Sequence, residues 1–188
     1  MSAATDAIHL RETYGGKICE TVEFRDEQTV RVDPGALHDV LATCRGDLGY
    51  EMLLDVSSVD HLGGEPRFEV VYLLAAVDDS KRLRVKSRVA EDEPVASATD
   101  LWAGADWHER EVWDMMGIPF AKHPNLKRIL MWEGYPFFPL RKDFPLAGRP
   151  SEMPDVAFSG VAPLEGGPFV TCVGGNTVVR EPRARGFE

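Results

Sequence analysis

The sequence predicts an α+β fold: a mixed β-sheet with helices packed on one face, followed by an extended, Gly/Pro-rich C-terminal arm. Three observations lead there. Five short runs carry strand patterning, and turn residues separate several of them. Segments with helical spacing lie between and after those runs. The composition then changes near Ala147, where Gly and Pro supply 12 of the last 42 residues against 18 of the preceding 146. A stretch that rich in Gly and Pro does not easily build a core of its own.

The elements follow in order. Lys17 to Phe24 places Ile18, Val22 and Phe24 on one parity and reads as a strand. Gln28 to Val32 reads as a second, reached through the charged turn Arg25-Asp26-Glu27. Asp33-Pro34 is a helix start, because Asp can cap orphan amides and Pro fits the first helical position. Leu37, Val40, Leu41 and Cys44 then recur at helical spacing, with Gly46 as a stop. Met52 to Val59, Arg67 to Val77 and Leu83 to Val89 read as three further strands. Gly63-Gly64 and Asp78-Asp79-Ser80 turn the chain between them, so two hairpins are expected. Pro94 closes this region, and from Ser97 to Met116 the pattern is helical, broken around Gly104. The expected division is an α+β domain over 1–146 and the arm over 147–188. The arm keeps apolar residues such as Phe158, Val161, Leu164 and Phe169, which suits a segment packed on a partner.

Bulk properties exclude several classes. A formal net charge of -10 argues against nucleic acid and against adhesion to an anionic membrane surface. The polar, mixed-charge start, Met1 to Glu12, lacks the pattern of a secretory signal. The longest apolar candidate, Val70 to Val77, is far short of a membrane span. A cytoplasmic protein is expected, tied to any membrane through a partner. Cys19, Cys44 and Cys172 lie far apart with no C-x-x-C pair, so neither a disulfide framework nor a zinc or iron–sulfur site is expected.

The most informative stretch starts at Asp106. Asp106 is a reasonable N-cap and Gly117 a left-handed stop for a helix running to Met116. Val112, Trp113 and Met116 give an apolar stripe, with Glu109 near it. Arg110, Glu111 and Asp114 are read as facing solvent or a partner, and Arg110 and Asp114 are spaced to pair. His108-Glu109 suggests the H-E-x-x-H metal motif, but position 112 is Val and the second imidazole is missing. Beyond the helix, Pro119 and Pro124 break any long helix. From Lys122 to Arg149 six basic residues face two acids, a local +4 in an acidic chain. Aromatic residues and Arg together are the usual composition of an interface core.

Glu109-Arg110-Glu111, then Asp114, Met115-Met116, His123, Lys127-Arg128 and Ile129-Leu130, at these spacings, resemble the signature of the C-type subunit family of respiratory complex I. This is the NADH–quinone oxidoreductase, in whose mitochondrial form the counterpart is called the 30-kDa subunit. Gly134-Tyr135 and the run from Pro139 to Leu146, with Arg141, Lys142 and Asp143 at its centre, resemble that family's closing motif. The resemblance is sharp over 106–146, extends to Gly15–Val95 through the order of strands and helices, and is weak after Ala147. It implies an α+β domain on the hydrophilic arm of the complex, peripheral, on the cytoplasmic side of a bacterial inner membrane. It implies no cofactor in this chain, with FMN and iron–sulfur clusters in partner subunits. The partner implied is chiefly the D-type subunit, which helps form the quinone pocket, with neighbouring iron–sulfur subunits. Arg141 and Lys142 are then expected to contact acidic groups of that partner, and Glu109, Arg110, Glu111 and Asp114 either to fix the following loop onto the helix or to reach the partner. Related domains occur in membrane-bound nickel–iron hydrogenases and other complex I-like oxidoreductases, and such an enzyme is the alternative.

Overall fold

The computed structural model describes residues 2–78 and 80–144. The chain divides into two compact units, Met1–Glu133 and Gly134–Glu188, of which the second is described over 134–144. The expected boundary after Leu146 and the Gly/Pro-rich arm lie outside the described residues.

The first unit opens with a helix that the strand and helix patterns did not point to, α1 (Ala3–Tyr14). Ser2 caps it by accepting the Thr5 N–H at 3.2 Å. Gly15, at φ 55°, ends it and returns its N–H to the Arg11 carbonyl. Two strands follow, β1 (Ile18–Phe24) and β2 (Glu27–Val32), joined by Arg25-Asp26 with both residues at positive φ. That is the twist a two-residue hairpin turn requires. Asp33 accepts the Gly35 N–H at 2.9 Å and starts a single tight turn, Pro34–Ala36, which leads into α2 (Leu37–Gly46). Strands β3 (Met52–Asp60), β4 (Phe68–Ala75) and β5 (Arg82–Val89) form the two expected hairpins.

The five strands order as β1-β2-β5-β4-β3. The β2–β5 pair is parallel and the others antiparallel, so the sheet is mixed as expected. Register explains the core. Val30 pairs with Val85, Val85 with Tyr72 and Tyr72 with Val56, a row across four strands on one face. Leu83 with Leu74, and Val89 with Phe68, extend that face. Leu10 of α1 and Leu37, Val40, Leu41 and Cys44 of α2 are fully buried in the same cluster. Burial of apolar surface, at about 25 cal/mol per Å², is the dominant favourable term in folding, and this layer is where the buried apolar side chains gather.

The opposite face is not apolar. There Glu69 is nearly buried beneath Lys86 at 3.0 Å, Arg31 at 3.3 Å and Arg88 at 3.7 Å. Burial pushes its carboxyl up, but the three cations outweigh that and hold it below the usual range. The stems of those long side chains cover the strand, while their charged heads reach water.

Past β5 the chain departs from expectation. Pro94 does not end the strands: β6 (Val95–Ala96) pairs in parallel with β7 (Phe120–Ala121) in a separate two-stranded sheet. The expected helical stretch from Ser97 begins only at Ala105, giving α3 (Ala105–Met116). Its N-cap is Gly104 with no side-chain cap, not Asp106. The preceding residues are held as a turn by the Leu101 and Trp102 N–H groups on the Ala98 carbonyl. Gly117 ends α3 at φ 77°, as expected. No helix among the described residues is long and apolar enough to cross a membrane.

Candidate functional site

α3 carries the residues that looked most functional, and its sides have distinct duties. Ala105, Glu109, Val112 and Met116 recur at helical spacing and are buried. Glu109 is wholly buried, and its carboxylate accepts the Ser97 hydroxyl and the Ala98 N–H, both at 2.7 Å. This ties α3 to the segment after β6. Burial pushes the Glu109 carboxyl up to about 7, against the lowering effect of those two hydrogen bonds. Nearby Asp106 and Asp100 raise it further.

A second side of α3 is covered by a strap, residues 122–131. Three attachments hold it, one per turn of the helix, at Asp106, Arg110 and Asp114. His123 has a fully buried ring, with Nε2 3.2 Å from the Asp106 carbonyl oxygen. The Asn125 N–H donates to His123 Nδ1 at 3.0 Å. That bond requires a lone pair on Nδ1, so the ring proton sits on Nε2 and points at Asp106. One turn on, Arg110 Nε donates to the Lys127 carbonyl at 3.1 Å, and its guanidinium stacks on the Trp107 ring at 5.0 Å.

Asp114 makes the third attachment. Its Oδ2 accepts N–H bonds from Ile129 at 2.9 Å, Leu130 at 2.7 Å and Met131 at 2.9 Å. Arg128 donates to the Asp114 side chain at 2.5 Å and to its backbone carbonyl at 3.0 Å. Burial acts to raise the Asp114 carboxyl, but these donors together hold it below the usual carboxylate range. Three successive N–H groups converging on one oxygen form an anion nest, filled here by the protein's own side chain.

These positions decide between the two roles left open by the sequence: Arg110 and Asp114 fix the strap onto α3, and Asp114 is fully buried there rather than facing solvent or a partner. Arg110 and Asp114 do not pair, because each is committed to a different part of the strap. Glu111 is exposed. Lys127 offers its backbone carbonyl to Arg110 while its side chain is exposed. His108 and Glu109 diverge: His108 Nδ1 lies 3.2 Å from Asp55 of β3, and Glu109 turns into the core. Among the described residues no group of three His, Cys, Asp or Glu side chains is placed to hold a metal ion.

Arg141, Lys142 and Asp143 belong to the second unit. Arg141 stacks over the Phe138 ring at 4.5 Å, and its N–H bonds the Phe138 carbonyl at 3.2 Å. The Phe144 N–H returns to the Arg141 carbonyl at 3.0 Å. Tyr135 and Phe137 meet edge to face at 5.7 Å. These contacts make the segment an aromatic turn with Lys142 and Asp143 exposed on it.

Patterning along the sequence assigns no site role to Trp107, Asp106 or Asn125. Trp107 could have been found from its register: with Glu111 it falls opposite Glu109 and Val112 and so cannot be core.

The family profile of the respiratory-chain NADH dehydrogenase 30 Kd subunit matches residues 30–150. The C-type subunit of the NADH-quinone oxidoreductase of Citrifermentans bemidjiense is 46% identical over 146 residues, covering 77% of this chain and 91% of that protein. Its counterpart in Geotalea uraniireducens is 43% identical over 149 residues, 77% of this chain and 89% of its own length. Among solved structures, a chain from a membrane-bound sulfane sulfur reductase, an archaeal respiratory membrane complex, superposes with a TM-score of 0.66. It is 22% identical, over 76% of this chain and 85% of its own, and shares the fold. The chain belongs to the family of the 30-kDa subunit of respiratory-chain NADH dehydrogenase, the C-type subunit of the bacterial NADH–quinone oxidoreductases.

Proposed function

We propose that this chain is a scaffold subunit, without a cofactor or active site of its own, in the peripheral arm of a proton-pumping NADH–quinone oxidoreductase. It packs beside the D-type, quinone-site subunit on the cytoplasmic side of a bacterial inner membrane. FMN and iron–sulfur clusters belong to its partners, and its contact with the membrane is indirect.

The observation that best supports this is how the signature side chains are used. Asp114, Arg128, Arg110 and His123 spend their hydrogen bonds on fixing the strap to α3. Electron transfer between cofactors depends on distances held to fractions of an ångström, and a subunit that carries none contributes by rigid positioning. A strap locked at every helical turn provides a surface of fixed shape for that purpose.

The test is purification of the tagged chain from native membranes in mild detergent. Flavin, iron–sulfur absorbance and NADH–quinone activity are expected in the eluate. Nickel with hydrogen uptake in place of NADH oxidation would assign the chain to a hydrogenase-type complex, and a colourless chain alone would overturn the reading. The double variant Arg141→Ala/Lys142→Ala is expected to lower the yield of assembled enzyme. Normal assembly in that variant would remove these two residues from the interface.

A further inference from the structure

We infer that Trp107 and Arg110 form the anchor of a docking surface for a carboxylate-bearing segment of a neighbouring subunit, an inference that rests on the assembly reading above. Trp107 is 62% exposed, whereas Trp102 is buried and Trp113 is partly buried against the core. Among the described residues, neither the sheet nor the strap covers the side of α3 that carries Trp107 and Glu111.

The indole is not loose. Its ring face is overlaid by the Arg110 guanidinium at 5.0 Å, and Arg110 Nε is committed to the Lys127 carbonyl. This fixes the guanidinium plane and leaves its two terminal nitrogens without a partner among the described residues. A guanidinium held so presents a planar fork matched to a carboxylate. Because both side chains are ordered beforehand, association costs less side-chain entropy. Trp and Arg are also the residue types that dominate measured interface energies.

Charge identifies the occupant. Lys122 and Lys127 on the strap are exposed, and neither they nor Arg110 is in an ion pair with a described residue. Glu111 is exposed beside them, and the partly exposed Asp106 carboxylate is turned to His123 Nε2 at 3.2 Å. A cluster of cations in a chain of net charge -10 favours an acidic surface there and repels one elsewhere. An apolar side chain of the partner lies on the open edge of the indole, and its Asp or Glu takes the Arg110 fork.

The test replaces Trp107 with a photoreactive benzophenone amino acid in the full chain, in native membranes. Irradiation is expected to yield a covalent product with another subunit of the complex, through a peptide containing Asp or Glu. Trp107→Ala is expected to weaken retention of this chain in the complex about ten-fold or more, with the melting temperature of the isolated chain unchanged because the indole is exposed. Arg110→Lys is expected to retain part of the binding, since it keeps the charge and loses the fork. A product within residues 145–188 of the same chain, or with a second copy, overturns the inference, as does wild-type retention of Trp107→Ala. Failure of the assembly reading looks different: the unsubstituted chain would then bring down no flavin or iron–sulfur subunits at all.

Discussion

Arg128 Nη1 lies 2.5 Å from Asp114 Oδ1 and 3.0 Å from the Asp114 backbone carbonyl, so one guanidinium nitrogen bridges the side chain and main chain of one residue. The other carboxylate oxygen holds three consecutive N–H groups of the strap. This is a buried charge pair whose acceptor is further saturated by backbone donors, the condition under which such a pair holds its charge in a low dielectric.

Removing the acceptor is therefore costly. Asp114→Ala takes this counter-charge from the largely buried Arg128 and orphans the N–H groups of Ile129, Leu130 and Met131. We expect a loss of about 3–5 kcal/mol in chemical denaturation. Amide exchange at 129–131 should accelerate more than in the β4–β5 hairpin. Unchanged exchange there would mean that the strap is held by something other than Asp114.

Two buried carboxyls on α3 give opposite pH dependences. Glu109 has a folded-state value raised from 4.5 to about 7, so the folded chain binds the extra proton. Its contribution is fully present below pH 4.5 and is lost as pH rises through 7, a cost of about 3 kcal/mol when complete. Asp114 is held below 3.8, so its contribution is present above that value and is lost as pH falls through the folded-state value. Glu109→Gln keeps an acceptor for the Ala98 N–H, turns its amide N–H to the Ser97 hydroxyl oxygen, and cannot ionise. Its stability should stay flat between pH 4.5 and 7 while that of the unsubstituted chain declines. Parallel curves would show that Glu109 is not the titrating group.

The helix α1 is anchored by a buried cluster. Lys81 Nζ donates to Asp6 Oδ2 at 2.8 Å and to the Leu48 carbonyl at 2.8 Å, and the Tyr50 hydroxyl donates to Asp6 at 3.0 Å. Lys81→Met strands the Asp6 carboxylate and should cost about 3–5 kcal/mol. The double variant Asp6→Leu/Lys81→Met should recover much of that loss. Additive losses in a double-mutant cycle would deny the coupling.

Tyr72 is fully buried, and its hydroxyl has no hydrogen-bond partner among the described residues. Leaving a buried hydroxyl unpaired forfeits its hydration, so Tyr72→Phe should change stability by less than about 1 kcal/mol, or raise it. A larger loss would reveal a partner for the hydroxyl.

The strand order along the chain, both hairpins, the Asp33 cap and the Gly117 stop were legible because they depend on periodicity and turn chemistry within a few residues. α1 was missed because Ala7, Leu10 and Tyr14 are sparse among polar residues, and tertiary contacts hold it in place. The pair β6–β7 was missed because each strand is two residues long and the partner lies beyond α3.

By itself, then, the sequence determined the α+β class, the family through the spacing of Glu109, Arg110, Asp114, His123, Lys127 and Arg128, and the position of α3. Only the tertiary structure decided what those residues do. A charged side chain on a helix reads as solvent-facing from its own neighbours alone. Whether it is buried depends on what folds over it, and here residues 128–131 return to cover Asp114. The same return leaves Trp107 outside, because a strap pinned through Asp106, Arg110 and Asp114 covers one side of a helix and leaves the next one open.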